Sequence, residues 1–149
     1  MTKVYLDVCC LNRPFDDQTQ DRIRLEAEAV LLILTHLETG EWQWLGSEVL
    51  EFEIGQMPDP ERRLRVKLLA TYVHYSILVE QTEVERAQQL EVLGFHPFDA
   101  LHLACAESGE ADVLLTTDDQ LLRLASRFSG QLRIRVENPL TWLKEVTEK

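Results

Sequence analysis

Cysteine is scarce: three residues in 149, two of them adjacent at Cys9 and Cys10, do not make a disulfide framework. Reduced, buried thiols are expected. A zinc site is equally unsupported, because the chain has no C-x-x-C pair, let alone a second one. Long apolar runs are missing too, the longest helical candidate being Val30-Leu31-Leu32-Ile33-Leu34, far short of a bilayer span. The opening MTKVYLD breaks into charge too early for a signal peptide, so a cytoplasmic protein without membrane association is expected. Positive charge is outnumbered, 15 Lys and Arg against 26 Asp and Glu, and the net charge of −11 excludes nucleic-acid binding through the whole surface. Only a local basic patch remains open. The densest, Glu61-Arg62-Arg63-Leu64-Arg65-Val66-Lys67, reads first as a solvated helix face.

Internal repeats, low-complexity tracts and linkers are also absent, and 149 residues fit one domain, 1–149. With 45% hydrophobic and 28% charged residues, the composition is that of a globular rather than a disordered chain. Short apolar runs alternate with amphipathic ones throughout. Val4-Tyr5-Leu6, Trp42 to Leu45, Ser76 to Val79, Val113 to Leu115 and Leu132 to Val136 read as strands. Helices are expected from Asp21 to Glu38, from an N-cap at Ser47 to Met57, from Asp59 towards Tyr72, from Thr82 to Gly94, from Pro97 to Gly109, and after Asn138-Pro139. Strands separated by helices imply an α/β protein, a three-layer α/β/α sandwich with a mostly parallel central sheet.

In open parallel sheets, ligands bind beyond the carboxyl ends of the strands, so acids that follow strands carry weight. Asp7 ends the first strand, and Asp118 and Asp119 follow Val113 to Leu115 after two threonines. Glu53 is more telling. On a helix whose apolar face is Val49, Leu50, Phe52, Ile54 and Met57, it falls near the centre of that face, while Glu48 and Glu51 point away. A carboxylate aimed inward needs an arginine partner, hydrogen bonds or a cation. Asp99, at the head of PFDALHLACAE, admits a helix-capping role or a site role, and His102 lies one turn on, as a locally satisfied histidine or a neighbour of the site. If Asp7, Glu53, Asp99 and Asp118 converge, repulsion controls the outcome: two charges ~4 Å apart cost on the order of 4 kcal/mol at an effective dielectric of about 20. A cation must then sit among them. An all-oxygen set without a Cys/His cluster points to Mg²⁺ or Mn²⁺.

These motifs resemble the PIN-domain nucleases, and more closely the VapC-type toxins of toxin-antitoxin modules. VYLD is similar to the segment carrying the family's first aspartate, SEVLEFEI to that carrying its glutamate, and PFDALHLACAE followed by ADVLLTTDDQLL to its helix-borne aspartate and strand-end T-x-D. The resemblance covers nearly the whole chain and implies a PIN-like fold. It places Asp7, Glu53, Asp99 and Asp118 in the catalytic site, with Asp7, Asp99 and Asp118 as metal ligands, Thr116 as hydrogen-bonding support and Glu48 as the fallback for Glu53. In this chain Val8 and Cys9 stand where many relatives carry hydroxyl or amide residues, so a supporting hydroxyl is expected to be missing.

The activity so implied is Mg²⁺-dependent endonucleolytic cleavage of RNA, with Mn²⁺ as the other cation, a small cognate antitoxin as partner and a homodimer as the assembly. Arg13, Arg22 and Arg24, near the loop beyond Asp7, are candidate phosphate contacts or ordinary surface charges. The alternative is a PIN-like binding module without turnover, its acidic pocket engaging a protein partner. A phosphotransfer domain using Asp7 as nucleophile fits less well, because no basic residue follows the strand in LLTTDD.

Overall fold

The structure, a computed structural model, describes residues 1–148. Its centre is β1, Lys3–Leu6, flanked on one side by β2, Gln43–Ser47, and β3, Tyr75–Ile77, and on the other by β4, Val113–Leu115, and β5, Arg135–Glu137. All four pairings are parallel, in the order β3-β2-β1-β4-β5. Alternation along each strand divides the apolar residues between two faces. Val4, Leu6, Trp44, Val113 and Leu115 face one core, and Tyr5, Leu45, Ile77 and Leu114 face the other.

The first core is covered by α1 (Val8–Asn12), α2 (Asp21–Glu38), α4 (Pro60–Ala70) and α8 (Pro139–Thr147), through residues such as Leu11, Ile33, Val66 and Trp142. The second is covered by α5 (Gln81–Leu93), α6 (Pro97–Ser108) and α7 (Asp119–Arg127), through Leu90, Leu103 and Leu121. Between them α3, Glu48–Gly55, contributes Val49 to one core and Leu50 and Ile54 to the other. The layered parallel sandwich read from the sequence is therefore the one observed. Among the described residues no helix is long and apolar enough to cross a membrane, and all three cysteines are unpaired.

Several boundaries differ for identifiable reasons. The third strand stops at Ile77, and the Val79 N–H donates instead to Glu48 Oε1 at 2.7 Å. Leu132 to Ile134 precede the fifth strand, because a 3₁₀ turn at Ser129–Gln131 and a bond from the Arg133 N–H to Glu107 Oε2 (2.9 Å) hold the chain off the ladder. Two helices have no counterpart in the sequence reading. Helix α1 is only five residues long, and α7 was hidden behind the acids that begin it, because Asp118 is its N-cap and accepts from the Gln120 and Leu121 N–H groups at 2.9 and 3.3 Å.

The order of the sheet decides where a site can form. From β1 the chain winds outward through β2 and β3, then returns to the other side of β1 to lay down β4 and β5. The switch point is therefore the crevice beyond the carboxyl ends of β1 and β4. Asp7 leaves β1 there, its N–H donating to Leu115 O at 3.0 Å, and the Thr116-Thr117-Asp118 turn leaves β4 alongside it.

Candidate active site

Asp7 is the most closely held of the four predicted carboxylates. Its Oδ1 caps α1 by accepting from the Val8 N–H at 2.8 Å, and its Oδ2 accepts from Thr116 Oγ1 at 2.9 Å. Thr116 is fully buried and its Oγ1 also accepts from the Asp118 N–H at 3.2 Å, so one hydroxyl ties the ends of β1 and β4 together. The support expected to be missing after Asp7 is replaced by a thiol. Cys9 Sγ donates to Asp7 Oδ2 (3.4 Å), lies 3.3 Å from Thr116 Oγ1 and accepts from the Thr117 N–H at 3.3 Å.

Glu53 does turn inward, as the helix phase requires, but its partner is a histidine rather than an arginine: it is hydrogen-bonded to His102 Nε2. That nitrogen also lies 3.9 Å from Asp7 Oδ1. One ligand atom from each of Asp7, Glu53 and His102 falls within 4.8 Å of the others. Glu48 stands outside this group, committed to the Val79 N–H, and Glu51 accepts from Ser76 Oγ at 3.1 Å. Phe52, expected on the apolar face, is 53% exposed and stacks on the 45% exposed Phe98, with ring centroids 5.9 Å apart. Turning Glu53 towards His102 carries its neighbour Phe52 outward.

Asp99 is not a helix cap. Helix α6 takes His96 as its N-cap, and Asp99 sits two residues after Pro97 in the first turn. Burial, reinforced by the charges of Asp7 and Asp118, pushes the Asp99 carboxyl up to about 6, against the smaller opposing pull of His102 and His96. Asp118 is exposed at the mouth of the crevice, above the N-terminus of α7. Burial alone would push His102 down, but its bond to Glu53 and the charges of Asp7, Glu53 and Asp99 outweigh burial and hold it above its ordinary value. The role of His102 was underweighted by sequence reasoning. Spacing from Asp99 hinted at it, but its contacts with Glu53 and Tyr5 span elements far apart in the chain.

The three arginines considered for phosphate contacts are engaged within the protein. Arg13 bonds Glu26 and Asp16 at 2.8 and 3.1 Å, Arg22 bonds Asp119 at 2.7 Å and Glu26 at 3.3 Å, and Arg24 bonds Asp21 at 3.0 Å. Glu26, the anchor shared by Arg13 and Arg22, has a side chain only 2% exposed and also accepts from Asn138 Nδ2 at 2.6 Å, clamping α2 to the segments after β1 and β5. Glu26→Ala leaves Arg13 with Asp16 and Arg22 with Asp119 but removes the buried acceptor they share with Asn138, and is expected to destabilise the fold by about 2 kcal/mol in urea unfolding. A loss below about 1 kcal/mol would mark the cluster as ordinary surface ion pairing. Different cations border the crevice: Arg123 and Arg127 line a cleft of about 340 Å³ together with His96, Asp99 and Gln120. Sequence reading passed over them because the helix that carries them was not recognised.

No family model matches the sequence, and no curated protein matches it. Solved structures do match the fold. The crystal structure of PAE2754 from Pyrobaculum aerophilum aligns with a TM-score of 0.58 at 16% identity, over 99% of this chain and 98% of that one. FitAcB from Neisseria gonorrhoeae aligns with 0.56 at 14% identity, over 91% and 97%. VapBC2 from Rickettsia felis, solved bound to a DNA fragment from its promoter, gives 0.54 at 13% identity over 93% and 98%. The chain has the PIN-like α/β/α fold expected of it.

Proposed function

We propose that this protein is a metal-dependent endoribonuclease, the toxin component of a VapBC-type toxin-antitoxin module. The observation that carries the reading is the convergence of acidic groups at the β1/β4 switch point, close enough that Asp7 and Asp118 help hold the half-buried Asp99 carboxyl at about 6. Such a set fits a divalent cation, which relieves the repulsion that the protein alone does not neutralise. Asp7, Asp99 and Asp118 would hold Mg²⁺ or Mn²⁺, with Glu53 completing the catalytic set and Thr116 fixing Asp7. When bound, the cation supplies acidity to an attacking water and positive charge against the scissile phosphate. The protein's own groups do the rest: Asp7 and Glu53 provide fixed negative charge and proton acceptors, while Arg123, Arg127 and His96 offer a basic track for the flanking phosphates. The exposed Phe52 and Phe98 rings, each next in sequence to a site carboxylate, suit stacking by unpaired bases, which favours single-stranded RNA.

A small cognate antitoxin, encoded nearby, is the proposed inhibitor, since the acidic crevice would attract an Arg or Lys from it. The assembly is proposed to be a cytoplasmic homodimer. Purified protein should cut total RNA when Mg²⁺ is supplied and stop on addition of chelator, with cut ends mapped by primer extension. Folded protein that binds the metal but leaves RNA intact would favour the non-catalytic binding module instead. Copurification with the antitoxin should suppress cleavage. Activity unaffected by a stoichiometric excess of it would remove the toxin assignment.

A further inference from the structure

We infer that His102 is a nitrogen ligand of the cation in this site, standing with Asp7 and Glu53 beside the carboxylates of Asp99 and Asp118, so that one nitrogen added to the oxygen set selects Mn²⁺ over Mg²⁺. The inference rests on the metal-dependent reading above and departs from an all-carboxylate site. Its first support is aim. The imidazole is 2% exposed, and Nε2 faces two carboxylates, Glu53 in hydrogen-bond contact and Asp7 Oδ1 at 3.9 Å. The three donor atoms lie within 4.8 Å of one another, comparable with the ~4.3 Å between opposite ligands of one small divalent cation. The Glu53 side chain is 25% exposed and has solvent to swing into as a cation enters.

The second support is the anchoring of the ring. His102 Nδ1 is 2.6 Å from Tyr5 Oη, which is 2.6 Å from Ser47 Oγ, and both partners are fully buried. In the metal-free protein Nε2–H donates to Glu53; once a cation displaces that proton, Nδ1–H still donates to Tyr5 Oη and Tyr5 to Ser47 Oγ, and the freed Nε2 lone pair would face the cation beside the two carboxylates. Metal-binding histidines characteristically have their second nitrogen tied in this way, which fixes both tautomer and orientation. Imidazole suits transition metals, whereas Mg²⁺ prefers oxygen and retains its waters, so a nitrogen donor shifts preference towards Mn²⁺.

The test uses the full chain, stripped of divalent cations with chelator and reloaded with Mn²⁺. Pulsed electron paramagnetic resonance should show ¹⁴N coupling from a directly bound imidazole, a measurement that needs no variant to fold. Calorimetry with MnCl₂ and MgCl₂ should show a preference for Mn²⁺ that falls by about tenfold or more in folded His102→Gln. Tyr5→Phe should keep the ¹⁴N coupling while weakening Mn²⁺ binding by about tenfold. Bound Mn²⁺ without nitrogen coupling, no binding at all, or selectivity unchanged in His102→Gln would overturn the assignment. RNA cleavage measured on the same samples separates the two readings. Cleavage without nitrogen coupling rejects only the ligand role of His102, and nitrogen coupling in a protein that leaves RNA intact rejects only the ribonuclease.

Discussion

Asp7→Asn is expected to lower RNA cleavage by about 10³-fold while the protein keeps its fold. The substitution keeps the shape of the side chain and removes its charge. Asparagine is as good an N-cap as aspartate, so the bond from the Val8 N–H that opens α1 survives through the amide oxygen. The amide nitrogen then faces Thr116 Oγ1, which reverses role from donor to acceptor and can turn its own proton towards Cys9 Sγ, 3.3 Å away. The join between β1 and β4 therefore persists. What is lost is the negative charge at the centre of the switch-point crevice and one oxygen of the proposed cation site. Circular dichroism and thermal unfolding check the fold, and single-turnover cleavage of a defined RNA checks the chemistry. Cleavage within about tenfold of wild type in a folded Asp7→Asn protein would remove Asp7 from the catalytic set.

Asp7 is legible in the sequence alone, because a strand end is a local property. Val4-Tyr5-Leu6 announces the strand, the acid follows it, and the parallel sheet decides that strand ends converge. Glu53 was legible for a similar reason: helical phase is fixed by neighbours a few residues away, and it separated Glu53 from Glu48 and Glu51. The identity of its partner was not, since His102 is 49 residues distant and the two meet only after α3 and α6 pack beside each other. Tyr5 shows the same limit. Its pattern places it in a strand core, but its bonds to His102 and Ser47 depend on three elements coming together. Helix α7 is hard to see in the sequence because its cap, Asp118, also reads as a strand-end acid. One side chain serves both positions, and a local reading assigns it once.

Asp99→Asn should separate catalysis from stability by moving them in opposite directions. In the metal-free wild type the folded Asp99 carboxyl titrates at about 6, above its ordinary value, because burial and the charges of Asp7 and Asp118 disfavour its ionised form. The folded state therefore binds this proton more tightly than the unfolded chain does. The contribution is fully present below the unfolded value and is lost as pH rises through about 6. Above that pH the wild type carries a poorly tolerated charge and Asp99→Asn does not. Metal-free Asp99→Asn should then melt higher than wild type by a few degrees, since about 1 kcal/mol shifts the midpoint by about 2–4 °C in a domain of this size. The gap should close as pH is lowered past about 6. Mg²⁺ should reverse the order by stabilising the wild type through binding to its folded state and stabilising the variant less, while cleavage by the variant falls by about 10²-fold or more. Melting curves on either side of that pH, with and without Mg²⁺, read all of these effects from one pair of proteins. A metal-free variant that melts no higher than wild type at the alkaline end would show that Asp99 carries no unrelieved charge, and the case for a cation held by this carboxylate would fall with it.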